Sequence, residues 1–301
     1  MPDYHAFMQV DVVTAVHEPY AVFLASAWDS LRRQSHAHWS WLVQIDGPSA
    51  AVAAALEACG ASDDPRVTVR ANGTAEGPAV TRNIALGRTA APLVQNLDAD
   101  DELEPAALDL LAAALAAHPR AGYAVGHARD LLPDGRLTTH DLPVRPGPLP
   151  RGALSAQWAA ADRPYGLPVH PAGAMWRRSL LLALGGWSAL HGMEDTGLLI
   201  AASAAADGVL VDAPTLRYRK HPAQRSGQTS KFSGGGGADC TGPAPRRAAR
   251  QPPGVDRPVA PRSGQTDPAG CDGRGGGQRR SIPRAVAAAT AAVRESTPNL
   301  A

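Results

Sequence analysis

Apolar residues along the chain fall into short Val- and Ile-rich blocks separated by longer stretches with helical spacing. VDVVTAV at 10–16, WLVQID at 41–46, RVTVRA at 66–71 and PLVQNLD at 92–98 have the length and β-branched content of buried strands. Between them YAVFLASAWDSLRRQ, SAAVAAALEACG and PAVTRNIALGRT are each long enough for a crossover helix. This alternation predicts an α/β fold built on a Rossmann-like, doubly wound, mostly parallel sheet with flanking helices. Such sheets bind ligands beyond the carboxyl ends of their strands. Asp46 and Asp98 fall at those ends, and His17 follows the first strand.

The helix predicted after QNLDADDELEP carries Leu108, Leu111 and Leu115 on one face, and His118-Pro119 ends it. From residue 120 the rhythm loosens. YAVGHARDLL and VLVDAPTLRYR read as strands with the Pro- and Gly-rich LPVRPGPLPRG between them, so this half is expected to complete the sheet and add a second binding surface. Trp39 and Trp41, two apart at a strand start, are expected to face the core together. Trp158, Trp176 and Trp187 are candidates for stacking on a substrate, with core packing expected for at least two of them. His36, His38, His118 and His127 have no metal-like spacing and read as surface or capping residues.

Composition changes abruptly after Phe232. Residues 233–301 hold 12 Gly, 9 Pro and 10 Arg with few large apolar side chains, which predicts a disordered tail. Gly, Pro, Arg and Ala share GC-rich codons, so the same composition is what an out-of-frame reading of a GC-rich gene would produce. The formal charge of +1 leaves no basic field of the kind that binds nucleic acid. No apolar stretch approaches the roughly 20 residues of a membrane span. MPDYHAFMQVD lacks the layout of a secretory signal, so the expected location is the cytoplasm. Cys59, Cys240 and Cys271 are odd in number and unpaired in spacing, which argues against a disulfide framework or a zinc site; Cys59 reads as a small core residue near a helix end.

Charge is sparse along the chain except at QNLDADDELEP, residues 95–105. Asp101, Glu102 and Glu104 suit a helix start, with Asp101 as cap and the acids at the positive end of the dipole. Asp98 and Asp100 are left over. In an extended chain they would lie on one side, about 7 Å apart at the backbone, repelling each other unless a cation sits between them. A DxD pair at a strand end is an oxygen cage suited to Mg²⁺ or Mn²⁺, which fill their remaining positions with phosphate oxygens and water. Alone, the motif is weak evidence.

Its place in the chain is more specific. VDVVTAVHEPYAVFLASAWDSLRRQ, WLVQIDGPS, AEGPAVTRNIALGRT, LVQNLDADDELEP and the later GGWSALHGMEDTGLLIAA follow one another as in the family 2 nucleotide-sugar glycosyltransferases, and they resemble that family over about residues 10–222. The resemblance implies a GT-A fold over residues 1–232, with residues 8–120 binding nucleotide sugar and metal and residues 121–232 binding the acceptor. It implies that Asp46 accepts a hydrogen bond from the nucleobase. Many relatives carry two adjacent aspartates there, whereas Ile45 precedes Asp46 here, which leaves the base open. Ala15, His17 and Glu18 would line the nucleoside pocket. Arg82 and Asn83 match an Arg-Asn pair near the donor, the Arg either binding a phosphate or holding the acidic cluster. Asp98 would contact the ribose or metal-bound water, and Asp100 would bind Mg²⁺ or Mn²⁺ directly. In YRKHPAQRS, His221 could ligate the metal and Arg219 or Lys220 hold the diphosphate, against the alternative of a solvated basic loop.

Glu194 and Asp195 open a predicted helix, where the dipole alone could explain Glu194; the resemblance makes Asp195 the general base of an inverting transfer. The implied partners are a nucleotide-sugar donor, foremost a UDP-sugar, and a hydroxyl acceptor that the sequence does not name. Two other readings compete. A nucleotidyltransferase would carry a glycine-rich basic loop after the first strand, which HEPYAVF lacks. A nucleotide-binding protein that has lost catalysis would not need both DxD and Glu-Asp.

Overall fold

The computed structural model describes residues 8–160, 168–190, 192–222 and 224. The tail expected from residue 233 lies outside the described residues. The first half alternates as the apolar blocks predict: β1 (Val10–Val16), α1 (Leu24–Arg32), β2 (Trp39–Ile45), α2 (Ala50–Ala58), β3 (Val67–Ala71), α3 (Pro78–Leu86) and β4 (Leu93–Asn96). A 3-10 turn at Glu18–Phe23 stands between β1 and α1, because Pro19 suits a first helical turn while its missing N–H removes a donor. Then come β5 (Glu102–Leu103), α4 (Ala107–Ala117), β6 (Ala121–Leu131), β7 (Leu137–Thr139), β8 (Gly147–Leu149), α5 (Ala153–Ala160), β9 (Met175–Arg177), α6 (Arg178–Ala183), α7 (Glu194–Ala205) and β10 (Asp207–Arg219).

All the strands form one sheet in the order β3-β2-β1-β4-β9-β6-β10-β5, with β7 on β6 and β8 on β10. The long ladders β3-β2-β1-β4 and β6-β10 are parallel, and the short β9 bridges them antiparallel to both β4 and β6. Both halves of the chain therefore share one sheet, closed across the middle by three residues that the apolar pattern did not mark as a strand.

Helices cover both faces, so β1 is apolar on both sides: Val12 belongs to the core cluster that holds Leu24, Trp28 and Leu108, and Val13 to the one that holds Ala85 and Leu198. Trp39 and Trp41 do enter the core, and Trp41 stacks on Trp28 with centroids 5.7 Å apart. Trp41 donates its indole N–H to Thr14 Oγ1 at 2.8 Å, and Thr14 donates onward to the Leu97 carbonyl at 2.7 Å. That relay ties β2 and β1 to the residue before Asp98. Trp176 and Trp187 are buried, which leaves Trp158 as the partly exposed member of the trio. Cys59 caps the end of α2, partly buried, and donates to the Leu56 carbonyl.

Four expectations are corrected. Residues 98–101 form a turn, closed by the Asp101 N–H donating to the Asp98 carbonyl at 3.1 Å, so Asp98 and Asp100 do not alternate along a strand. Asp101 does not cap α4, whose N-cap is Ala106; it is fully buried and accepts from the Arg219 N–H at 2.9 Å. Glu102 and Glu104 do not serve a helix dipole either. Glu102 pairs with Arg219 at 2.6 Å and Arg217 at 3.3 Å, and Glu104 pairs with Arg217 at 3.0 Å and with Arg129, which staples β5 into the sheet edge. His36 is buried rather than superficial, bonded through Nε2 to the Met8 carbonyl.

The β9–α6 unit returns to the first half through a tight turn. Gly186 sits at φ +72°, and Trp187 behind it exchanges two hydrogen bonds with Asn83 on α3, N–H to Oδ1 and Nδ2 to carbonyl, both 2.8 Å. A Cβ on Gly186 would stand 2.2 Å from Asn83 Oδ1. Gly186→Ala is therefore expected to cost about 1–3 kcal/mol, from left-handed backbone strain and loss of this clamp. Urea unfolding measures it; a loss of a few tenths would mean the turn relaxes freely.

Candidate active site

A pocket of about 580 Å³ opens along the carboxyl ends of the strands. Ala15 and His17 reach it from the end of β1, Asp46 from β2, Asp98 and Asp100 from the turn after β4, Arg82 from α3, and Glu194 and Asp195 from the start of α7. Seven predicted residues from five separate segments thus meet in one cavity, along with Glu194. Asp46 is held by the N–H groups of Glu76 and Gly77 and by the Thr81 hydroxyl, at 2.7–3.1 Å.

Arg82 is the hub. Its Nη2 donates to Asp98 Oδ1 at 2.6 Å, and its Nη1 stands 3.5 Å from Asp195 and 3.7 Å from Glu194. Burial opposes the guanidinium charge, but Asp195, Asp98 and Glu194 more than offset it and hold the pKa above its ordinary value. Asp195 accepts the Trp187 indole N–H at 2.8 Å. Its pKa is pushed up to about 6, first by burial and then by Asp98 and Glu194, while Arg82 and the indole pull it down. Such a carboxyl can take and release a proton near neutrality.

Asp100 Oδ2 lies 3.0 Å from His221 Nε2, and the His221 ring packs against Phe23 at 4.7 Å. Burial and the neighbouring Asp98 charge raise the Asp100 pKa, and the His221 hydrogen bond opposes them. Among the described residues no three His, Cys, Asp or Glu side chains already form a complete metal cage. A divalent ion nevertheless fits the chemistry. Among the described residues seven carboxylates (Asp46, Asp98, Asp100, Asp130, Asp141, Glu194, Asp195) line the pocket against one guanidinium, and Asp100, whose proton affinity burial and the adjacent Asp98 charge raise, is what a cation would relieve.

Several assignments do not hold geometrically. Glu18 is exposed, accepts from the Ser49 hydroxyl at 2.7 Å and does not line the pocket. Asn83 also lies outside the lining; as the Trp187 clamp, it acts on the site only through the side chain that bonds Asp195. Arg219 is spent on Glu102 and the Asp100 carbonyl, and Lys220 on Asp130 at 3.1 Å. Neither is free to hold a diphosphate as placed, and neither is a solvated basic side chain.

The pocket also contains Asp130, His140, His170 and Tyr218, which the sequence reading passed over. Asp130 closes the YAVGHARDLL strand, so the strand-end rule that found Asp46 and Asp98 could have found it too.

Removing the Arg82 charge strands three carboxylates, Glu194 buried and Asp98 and Asp195 partly buried. Arg82→Met is expected to lose about 3–5 kcal/mol at pH 8, the usual penalty for breaking a buried pair from one side. The loss should shrink toward pH 5, because protonation of the stranded acids removes the repulsion. Parallel urea titrations at the two pH values check this; an equal loss at both would assign Arg82 to packing alone.

No helix among the described residues is long and apolar enough to cross a membrane. No curated protein sequence matches the chain significantly. Among solved structures, S. aureus TarS 1-349 in complex with UDP-GlcNAc is similar at 15% identity and TM-score 0.59, over 72% of this chain and 60% of that one. The same TarS fragment without that ligand gives 16% identity and TM-score 0.57, over 70% of this chain and 60% of that one. A mannosyltransferase from Pyrobaculum calidifontis in complex with GDP-Man and Mn²⁺ gives 20% identity and TM-score 0.50, over 72% of this chain and 58% of that one. The chain spans about 60% of the length of the TarS fragment. These likenesses identify the sheet and its flanking helices as the GT-A fold. The model of glycosyl transferase family 2 matches residues 11–180, more than half of the sequence, and the chain belongs to that family.

Proposed function

We propose that the protein transfers a sugar from a nucleoside-diphosphate sugar to an acceptor hydroxyl with inversion, Asp195 serving as general base. The observation that carries this reading is the Asp195 carboxyl, buried in the same pocket as Asp98 and Asp100, bonded by Trp187 and tuned to a pKa of about 6. Asp195 takes the acceptor proton as the acceptor oxygen bonds to the anomeric carbon. The bond from that carbon to the diphosphate breaks, and its electron pair leaves with the nucleotide. Attack from the face opposite the leaving group inverts the centre.

The nucleoside half of the donor is assigned to Ala15, His17 and Asp46, whose Oδ2 keeps capacity to accept from a base N–H. A UDP-sugar is the first candidate, supported by the TarS fragment with UDP-GlcNAc; the GDP-Man complex of the mannosyltransferase makes a guanine donor the comparison to run. Asp100 and His221, with Asp98 beside them, would hold Mg²⁺ or Mn²⁺, which when bound supplies positive charge to the departing diphosphate. Mn²⁺ beside GDP-Man in the mannosyltransferase supports that assignment. Arg82 keeps Asp98 and Asp195 in place rather than gripping phosphate.

Two measurements test the reading. Asp195→Asn should keep donor binding while single-turnover transfer falls about 10²- to 10⁴-fold, the usual worth of a positioned base. Parent-like turnover would place the base elsewhere. The parent rate should rise with pH through about 6, where Asp195 loses its proton, and Trp187→Phe should move that limb upward because the indole bond favours the carboxylate. Separately, Asp100→Asn should weaken UDP or GDP binding far more with Mn²⁺ than with EDTA. Equal losses in both would make Asp100 structural.

A further inference from the structure

The pocket is longer than a nucleotide sugar's reacting end requires. Its lining runs from Asp46 after β2 to Asp130 at the end of β6, four strand intervals along the sheet, or about 19 Å at the usual strand spacing. Asp98 lies between them, after β4. Nucleotide at β2 and β1 therefore leaves the β6–β10 end for a second molecule.

That end has its own chemistry. Asp130 accepts from His140 Nε2 at 3.0 Å and pairs with Lys220 at 3.1 Å, so the lysine charge is already answered. Asp141 is exposed and has no ion pair among the described residues. His170 accepts the Ala172 N–H at Nδ1, which puts its proton on Nε2, and Nε2 has no partner among the described residues. Burial holds the His170 pKa down to about 4, so the ring stays uncharged and offers a neutral donor. Leu142, Pro143 and Pro168, chain neighbours of Asp141 and His170, add apolar surface to the lining. No unpaired Lys or Arg lines this end among the described residues.

Among the described residues, an anionic group here would meet Asp130 and Asp141 with no unpaired cation to receive it. A hydroxyl-rich neutral molecule meets carboxylate acceptors, a histidine donor and apolar surface for its C–H face. We infer that the β6–β10 end of the pocket is an acceptor subsite for an uncharged sugar, with hydroxyls on Asp130, His140 and His170, and that it disfavours phosphate- or carboxylate-bearing acceptors. The inference rests on the glycosyl-transfer reading for the word acceptor; the binding chemistry stands on these residues alone.

The test is a glycan array carrying matched neutral and anionic members, uronates and sugar phosphates included, probed with the full chain with and without UDP and Mn²⁺. Neutral glycans should bind and their anionic counterparts should not. Asp130→Asn, which removes one carboxylate and releases Lys220, should weaken neutral-glycan binding about tenfold or more and narrow the discrimination. Asp141→Lys, at an exposed position that cannot disturb the core, should let anionic glycans bind. Binding of anionic glycans only, of no glycan at all, or unchanged selectivity in both variants overturns the inference. A UDP titration of the same protein reports on the donor half separately, so loss of UDP binding with neutral-glycan binding retained would sink the donor assignment and leave the subsite standing.

Discussion

Everything at the active site depends on one buried cation. Arg82 brings together Asp98 from the turn after β4 and Glu194 and Asp195 from the start of α7, segments about a hundred residues apart in the chain. Without it these carboxylates would face one another in a largely enclosed cluster with nothing to offset their mutual repulsion. A guanidinium suits the task better than an ammonium, because its planar fork addresses carboxylates in several directions at once and stays charged under desolvation. The same contact that closes the fold across the sheet also sets the proton affinity of the candidate base. Stability and chemistry are coupled through a single side chain.

The residue next to it completes the arrangement by a different route. Asn83 points away from the pocket and clamps the Trp187 backbone, and the Trp187 indole in turn bonds Asp195. An Arg-Asn dipeptide on one helix turn therefore controls Asp195 twice, by charge through Arg82 and by position through Asn83 and Trp187. The turn at Gly186 allows Trp187 to come close enough for this, since any side chain there would strike Asn83.

The sequence made the parallel half legible because its strands are buried on both faces and read as unbroken apolar blocks; β1 was recovered to the residue. Strand ends then located Asp46 and Asp98 with no knowledge of packing, while Asp195, at a helix start, was marked by the resemblance of the Glu-Asp segment. The second half resisted for physical reasons. Strands of two or three residues such as β5, β7, β8 and β9 are too short to show a period, and β9 is held by neighbours far away in sequence. The acids at 101–104 were misread because local rules see a helix start, whereas their partners Arg129, Arg217 and Arg219 arrive more than twenty residues later. Asn83 and Glu18 were placed near the donor by resemblance, which locates a motif but not the direction in which a side chain points.

The pocket's charge distribution separates its two ends. An anionic diphosphate can enter a cavity with seven carboxylates and one committed guanidinium only if added positive charge comes with it, and Asp100 with His221 is where such charge could be held. Among the described residues nothing comparable stands at the β6–β10 end, where the lysine near Asp130 is already paired and His170 is held neutral by burial. On the proposed reading an anion is tolerated where Asp100 and His221 can recruit a counter-charge and penalised where they cannot reach. In such a pocket a charged donor and an uncharged acceptor would be sorted to opposite ends by electrostatics before any shape is read, with Asp195 in the same cavity between them.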